Sequence, residues 1–249
     1  MTLVIAHRGS GPLGPERENT VAAFLASSRL GADGVELDVR RSADQQLVVH
    51  HNAALTGGPL ICETHSSDLP SEIPSFAEAL DACTGLLMNV EVKNVKVDAD
   101  FDPTQWVARS CARLLLERGA LGWVADEGVV VSSFSRSAIQ AVKSVAPTLE
   151  TAWIVGLNLS EIDVLTIAAA DGLEGIHPYD PLVDSRLVTA AHAAGLALRV
   201  WTVDDPERVA ELGLFGADAV ITNDVVVARR ALAKSELAKG PAGREQSQS

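Results

Sequence analysis

GADGVELDVRRSADQQLVVHHN, residues 31–52, is the stretch whose reading decides the fold. Within it, Val35-Glu36-Leu37-Asp38-Val39 alternates apolar and acidic side chains, the period of a half-buried strand. Residues two apart on a strand share a side, so Glu36 and Asp38 project together while Val35, Leu37 and Val39 face the other way. The flanking valines and leucine argue for a central strand, where a solvated acidic face does not work. Two neighbouring carboxylates repel each other and are costly to bury unless a cation or a proton lies between them. After a polar turn over residues 42–46, Leu47-Val48-Val49 forms a second apolar run that delivers His50 and His51. Adjacent strand residues point in opposite directions, so only one of the two histidines can face a site. Hard oxygen ligands beside an imidazole point to metal-assisted acid/base chemistry.

Outward from this stretch, the same alternation of elements recurs. Residues 3–6 read as a buried strand ending in His7-Arg8-Gly9, and Thr20 as the N-cap of a helix closed by Gly31. Residues 52–74 read as an irregular loop, a short insertion after the second strand. A helix starts over 76–80, and the strand at 86–92 places Asn89, Glu91 and Lys93 on one face. Later strands are predicted at 129–131, 152–155, 175–177, 196–200 and 219–221. Helices are predicted over 106–118, 138–145, 162–170, 187–194, 208–214 and 225–237. Eight strand-then-helix units, plus one extra short strand before His51, predict an α/β fold closed as a (β/α)₈ TIM barrel. His7-Arg8, Glu36/Asp38, Glu91/Lys93, Ser133, His177 and Trp201-Thr202 fall at or just past strand C-terminal ends, the face of a barrel that carries active sites. The expected organisation is one barrel domain over residues 1–239 and a disordered polar tail over 240–249.

Composition narrows the function classes. Of the 249 residues 47% are apolar, enough for a sizeable core, and no apolar run approaches a membrane span. The first apolar run lacks a cationic leader and a cleavage site, so no signal peptide is expected and a cytoplasmic location is. Three widely spaced cysteines, Cys62, Cys83 and Cys111, argue against a disulfide framework or a zinc-thiolate site. A net charge of −13 argues against a nucleic-acid-binding surface, although Arg8 and Lys93 supply local positive charge for one phosphate. Gly9-Ser10-Gly11-Pro12-Leu13-Gly14 has the spacing of a dinucleotide fingerprint, but Pro12 and Pro15 prevent the helix that must follow at once. A flexible loop over the barrel mouth is the better reading. His65 and His192 carry no clear signal, and His177 is as readily structural as functional.

The motifs taken in series resemble the glycerophosphodiester phosphodiesterases. His7-Arg8-Gly9, Glu18-Asn19-Thr20, Glu36-Leu37-Asp38-Val39 and Val49-x-His51 match that family's N-terminal motifs in order and spacing. Asn89-x-Glu91-x-Lys93, Ser133-Phe134, Trp201-Thr202-Val203 and Ile221-Thr222-Asn223-Asp224 extend the match along the barrel. The resemblance implies metal-dependent hydrolysis of glycerophosphodiesters to an alcohol and glycerol phosphate. It implies one divalent cation, Mg²⁺ or Ca²⁺, on Glu36, Asp38 and Glu91, with His7 and His51 as general base and acid. Arg8 and Lys93 would contact the phosphate, and Glu18 would support the site. Three departures stand out: Arg17 replaces a proline before Glu18, Asn52 replaces an aspartate after His51, and residues 52–74 lack the usual arginine-threonine pair. A lysophospholipase D-like enzyme and a non-catalytic phosphate-binding barrel remain the alternatives. The loop over 52–74 offers only scattered apolar residues, and no basic amphipathic helix is present to reach a membrane surface. Small deacylated substrates such as glycerophosphocholine, without stable membrane association, are therefore expected. Trp201 either walls the glycerol carbons or only packs the barrel rim.

Overall fold

The computed structural model describes residues 1–9, 18–120, 128–157 and 160–238. The loop expected over the barrel mouth, Arg17 within it, and the C-terminal tail lie outside the described residues. β1 (Leu3–Ala6), β2 (Gly34–Arg41) and β4 (Leu87–Val92) are followed in the sheet by β5 (Val129–Ser133) and β6 (Glu150–Val155). β7 (Gly175–Pro178), β8 (Ala197–Val200) and β9 (Ala219–Thr222) complete a ring of eight parallel strands. Pairing of Ile5 with Gly34 and of Ala6 with Val35 joins β1 to β2 and closes it. The expected (β/α)₈ barrel is borne out. β3 (Leu47–Val49), the extra strand before His51, runs antiparallel to β2, with Val39 opposite Val49 and Arg41 opposite Leu47.

The helices α1 (Val21–Arg29), α2 (Phe76–Ala82), α3 (Trp106–Ala120) and α4 (Arg136–Val145) lie between successive strands. So do α5 (Glu161–Ala170), α6 (Ser185–Ala193) and α7 (Pro206–Phe215), and α8 (Val225–Ala238) ends the described chain. Four of them begin one or two residues before the apolar periodicity predicts. Ser135, Ser160, Asp184 and Asp205 each accept a hydrogen bond from a backbone N–H of the first turn. A first turn held by such a cap needs no apolar side chain, so hydrophobic spacing does not register it. Thr20 caps α1 as predicted, accepting from the Ala23 N–H, and Ser75 and Glu78 cap α2 reciprocally.

Strand alternation separates two cores. Val35, Leu37, Val39, Val90 and Val92 point outward and pack with Phe24, Phe76, Leu80, Leu115 and Ile139 of the helix layer. Each such side chain contributes about 1.5–3 kcal/mol on full burial, which makes this shell the main source of stability. Inward-facing Leu3, Ile5, Leu87, Ala219 and Ile221 form a much smaller apolar cluster inside the barrel, with Trp201 against it. The rest of the interior wall is free to carry polar groups.

Candidate active site

β2 and β4 lie side by side, with Glu36 opposite Asn89 and Asp38 opposite Glu91. The alternation that turns Leu37 and Val90 outward turns all four of these side chains inward. Glu36, Asp38 and Glu91 each offer a carboxylate oxygen, and those atoms lie within 4.8 Å of one another. All three residues are buried. Glu36 Oε2 accepts from the Arg8 N–H at 2.9 Å. Asn19 donates from Nδ2 to Asp38 Oδ2 at 2.8 Å and accepts from the Asp38 N–H at 3.2 Å. Among the described residues Glu36 Oε1 and Asp38 Oδ1 are buried without a hydrogen-bond donor.

Two cations stand against these carboxylates. Arg8 donates from NH1 to Glu18 Oε1 at 2.8 Å, and its Nε is 3.4 Å from Asp38 Oδ2. Lys93 Nζ donates to Glu91 Oε1 at 2.7 Å and is 3.4 Å from Asp38 Oδ1. Arg8 reaches this position through a left-handed turn, φ 55° at Arg8 and φ 67° at Gly9. A Cβ on Gly9 would sit 2.5 Å from the Phe24 ring, so only glycine allows the turn to close onto α1.

The charge balance decides what the cluster needs. Burial, then repulsion from Asp38 and Glu91, holds the Glu36 carboxyl well above the usual range. Burial likewise pushes Glu91 up to about 7, although Lys93 opposes it. Burial also works against Asp38, but Lys93, His51, Arg8 and the Asn19 hydrogen bond outweigh it and hold Asp38 low. Three buried carboxylates, with ionisation suppressed at Glu36 and Glu91 and favoured at Asp38, form a hard-oxygen set suited to a divalent cation. The residues present fit the ion.

The histidines approach from two sides. His7 Nδ1 is 2.8 Å from Asn223 Oδ1, which leaves Nε2 toward the cluster, 3.9 Å from Glu36 Oε2. Asp204 in turn fixes Asn223, accepting from its N–H and its Nδ2 at 2.7 Å each. His51 Nδ1 is 3.0 Å from Asn52 Oδ1, so the residue that departs from the family pattern still orients the ring. The buried Arg40 guanidinium donates twice to the His51 carbonyl, at 2.9 and 2.7 Å, and is held by Asp100 at 2.7 Å. Burial depresses both imidazoles below the ordinary histidine value; Arg8 adds to this at His7, and Lys93 and Arg8 add to it at His51. His50 turns aside and bonds the Asn52 carbonyl at 2.9 Å.

These groups surround a cavity of about 150 Å³ lined by His7, Arg8, Glu36, His51, Glu91 and Lys93 on its polar side. Phe134, Ile154, Trp201 and Ile221 make its apolar side. Trp201 is fixed by its Nε1–H bond to the His177 carbonyl, 2.7 Å, and by edge contact with Phe134, ring centroids 5.4 Å apart. The 52–74 segment contributes Asn52, Leu55, Pro70 and Ile73 to a second groove that meets the cavity at His51.

The structure thus gathers His7, Arg8, Glu18, Glu36, Asp38, His51, Glu91, Lys93 and Trp201 in one region. Ser133 is not part of the cavity wall: its hydroxyl bonds the Val92 carbonyl at 2.8 Å, and Phe134 faces the cavity instead. Glu36 and Asp38 lie inside β2 rather than at its end, because β2 runs on to Arg41 to pair with β3. His192 is on α6 beside Asp218, at 2.9 Å. Arg40, Asp204 and the orienting role of Asn223 escaped the sequence reading. Asn223 lay within a quoted motif, and Arg40, two residues after Asp38 on β2, was marked only by sharing that strand face.

The sequence model of the Glycerophosphoryl diester phosphodiesterase family matches residues 7–59 and 60–227. A glycerophosphodiester phosphodiesterase of Caldanaerobacter subterraneus is 28% identical over 243 residues, covering 90% of this chain and 94% of that one. A probable glycerophosphodiester phosphodiesterase 1 of Mycobacterium tuberculosis is 29% identical over 233 residues, covering 83% of each. Among solved structures, an Oleispira antarctica phosphodiesterase in complex with the product sn-glycerol-3-phosphate superposes with a TM-score of 0.82 at 24% identity, covering 94% of this chain and 97% of that one. The glycerophosphodiester phosphodiesterase of Thermotoga maritima gives 0.73 at 22%, covering 92% and 98%. These likenesses establish the barrel.

Proposed function

This chain belongs to the glycerophosphoryl diester phosphodiesterase family, and from that premise we propose how its side chains divide the hydrolysis of a glycerophosphodiester into an alcohol and glycerol 3-phosphate. One observation carries the assignment: carboxylate oxygens of Glu36, Asp38 and Glu91 converge within 4.8 Å, and His7, His51, Arg8 and Lys93 line the cavity with Glu36 and Glu91. Glu36, Asp38 and Glu91 would hold a divalent cation, which when bound neutralises charge building on the phosphoryl oxygens. Arg8 and Lys93 bring positive charge to the same oxygens and fix the diester in the cavity.

Two protons must move. His7, oriented through Nδ1 by Asn223 and kept neutral by burial, presents a basic Nε2 and removes a proton from the attacking water, whose oxygen joins the phosphorus as the bond to the alcohol oxygen breaks. His51, held by Arg40 through its carbonyl and by Asn52 through Nδ1, gives the Nε2 proton of its imidazolium form to the departing alkoxide and is left neutral with its remaining proton on Nδ1. Glu18 keeps Arg8 in place. The cavity of about 150 Å³ suits the glycerol phosphate half of the diester, and the groove that meets it at His51 lies open to the alcohol half. None of the helices in the described residues is long and apolar enough to cross a membrane.

The test is release of glycerol 3-phosphate from glycerophosphocholine with and without a chelator, beside long-chain lysophosphatidylcholine below its micelle concentration. Cation-dependent turnover of the small diester, lost in Glu36→Gln, is expected. Full turnover in excess chelator would remove the cation from the mechanism, and preference for the lipid would move the chain to a lysophospholipase D-like activity.

A further inference from the structure

His177 has no part in the chemistry described above, yet among the described residues it is buried with both ring nitrogens lacking a hydrogen-bond partner, as is Arg199 Nη1. It is 1% exposed on β7 and lines the cavity. A buried donor or acceptor left unmet costs about 1–3 kcal/mol, so the cavity's working contents must supply what the protein does not. We propose that His177 forms a hydroxyl-binding subsite on the cavity wall, one that selects diesters whose retained half is a glycerol with its terminal hydroxyl free. The proposal rests on the functional reading given above and names the part of the substrate that this wall recognises.

The surroundings favour a hydroxyl over a phosphate. Arg199 on β8 is buried close by and bonded to Glu150 at 2.7 Å, and a Cβ on Gly175 would stand 3.2 Å from its NH1. The glycine therefore leaves room for a guanidinium beneath His177. Burial, then the Arg199 charge, holds His177 well below the ordinary histidine value, so its ring is neutral. A neutral imidazole offers one donor and one acceptor, which suits a hydroxyl that both gives and takes a hydrogen bond. The cationic groups that suit a phosphate, Arg8 and Lys93, belong to the carboxylate side of the cavity. Beside His177 the lining is Ile154, its partner across β6 and β7, and Trp201, surfaces that suit the glycerol carbons. Trp201 is tied to the His177 carbonyl itself, so the apolar wall and the imidazole keep a fixed relation.

The experiment compares kcat/KM for glycerophosphocholine and for its analogue with a methyl group in place of the terminal hydroxymethyl, in wild type, His177→Leu and His177→Phe. Wild type is expected to favour glycerophosphocholine about 10- to 100-fold, because the analogue leaves a buried nitrogen unmet. In both variants that ratio should fall close to one, and calorimetric affinity for sn-glycerol 3-phosphate should drop by a similar factor. A ratio unchanged by either substitution means the imidazole binds ordered water only, and the proposal is overturned. Wild-type indifference to the terminal hydroxyl overturns it equally, and that result needs no variant to fold. Wild type that cleaves neither diester overturns the functional reading together with the proposal, and is recognised because both substrates fail.

Discussion

Cation affinity should rise steeply with pH below neutrality, and the size of the effect follows from Glu91. With no cation present, burial holds this carboxyl at about 7, and Glu36 is raised in the same sense. A bound divalent ion requires the carboxylate, so binding below pH 7 must expel a proton. For Glu91 alone, half the sites are ionised at pH 7 and about 1% at pH 5, which weakens binding about 50-fold, ~2 kcal/mol at 1.36 kcal/mol per unit. Glu36 steepens the dependence. His7 and His51, once protonated in acid, repel a cation and act in the same direction, while Asp38, held low, stays charged across this range. Titration calorimetry with Mg²⁺ and Ca²⁺ between pH 5 and 8, in two buffers of different ionisation enthalpy, reads affinity and proton release together. Affinity should climb to about pH 7 and then level. Thermal unfolding gives a second reading, since a cation at ~100 times its Kd stabilises by ~2.7 kcal/mol. Flat affinity with no proton release between pH 5 and 7 would refute the assignment of Glu91 as a ligand whose charge is suppressed by burial.

Other expectations follow from the same geometry. His51→Ala should lose about 10²- to 10⁴-fold in kcat while His50→Ala retains most activity, because only His51 lines the central cavity; the reverse in a steady-state assay would overturn the register. Asp204→Ala should lower kcat more than it raises KM and be partly rescued by Asp204→Glu, since it acts through Asn223 on His7; a wild-type pH profile and kcat would show the relay is only structural. Gly9→Ala should lower the melting temperature and activity together, as its Cβ would meet Phe24 at 2.5 Å in a left-handed turn; an unchanged melting curve would count against that packing.

Much of the barrel was legible in the sequence because its signals are local. Alternation in 35–39 and 89–93 fixed which side chains share a face, and the structure places Glu36, Asp38, Asn89, Glu91 and Lys93 as that alternation requires. The polar turn before β3 and the two adjacent histidines announced an extra strand and a single inward histidine. Helix starts were read late wherever a cap, rather than an apolar residue, opened the first turn.

What no local pattern carried was the support behind each functional group. His7 is oriented by Asn223, 216 positions away, and that contact exists only because β1 pairs with β9 as the ring closes. Arg40 shares the β2 side of Glu36 and Asp38, yet it shows its use only once the segment carrying Asp98 and Asp100 folds back to hold it against the His51 carbonyl. His177 reads in sequence as an ordinary strand-end histidine; burial among Arg199, Trp201 and Ile154 is what removes its charge and its partners. Periodicity reports which way a side chain leaves its own strand. Which groups it then meets, and with what charge, depends on barrel closure and burial, and these are set by the register of all eight strands at once.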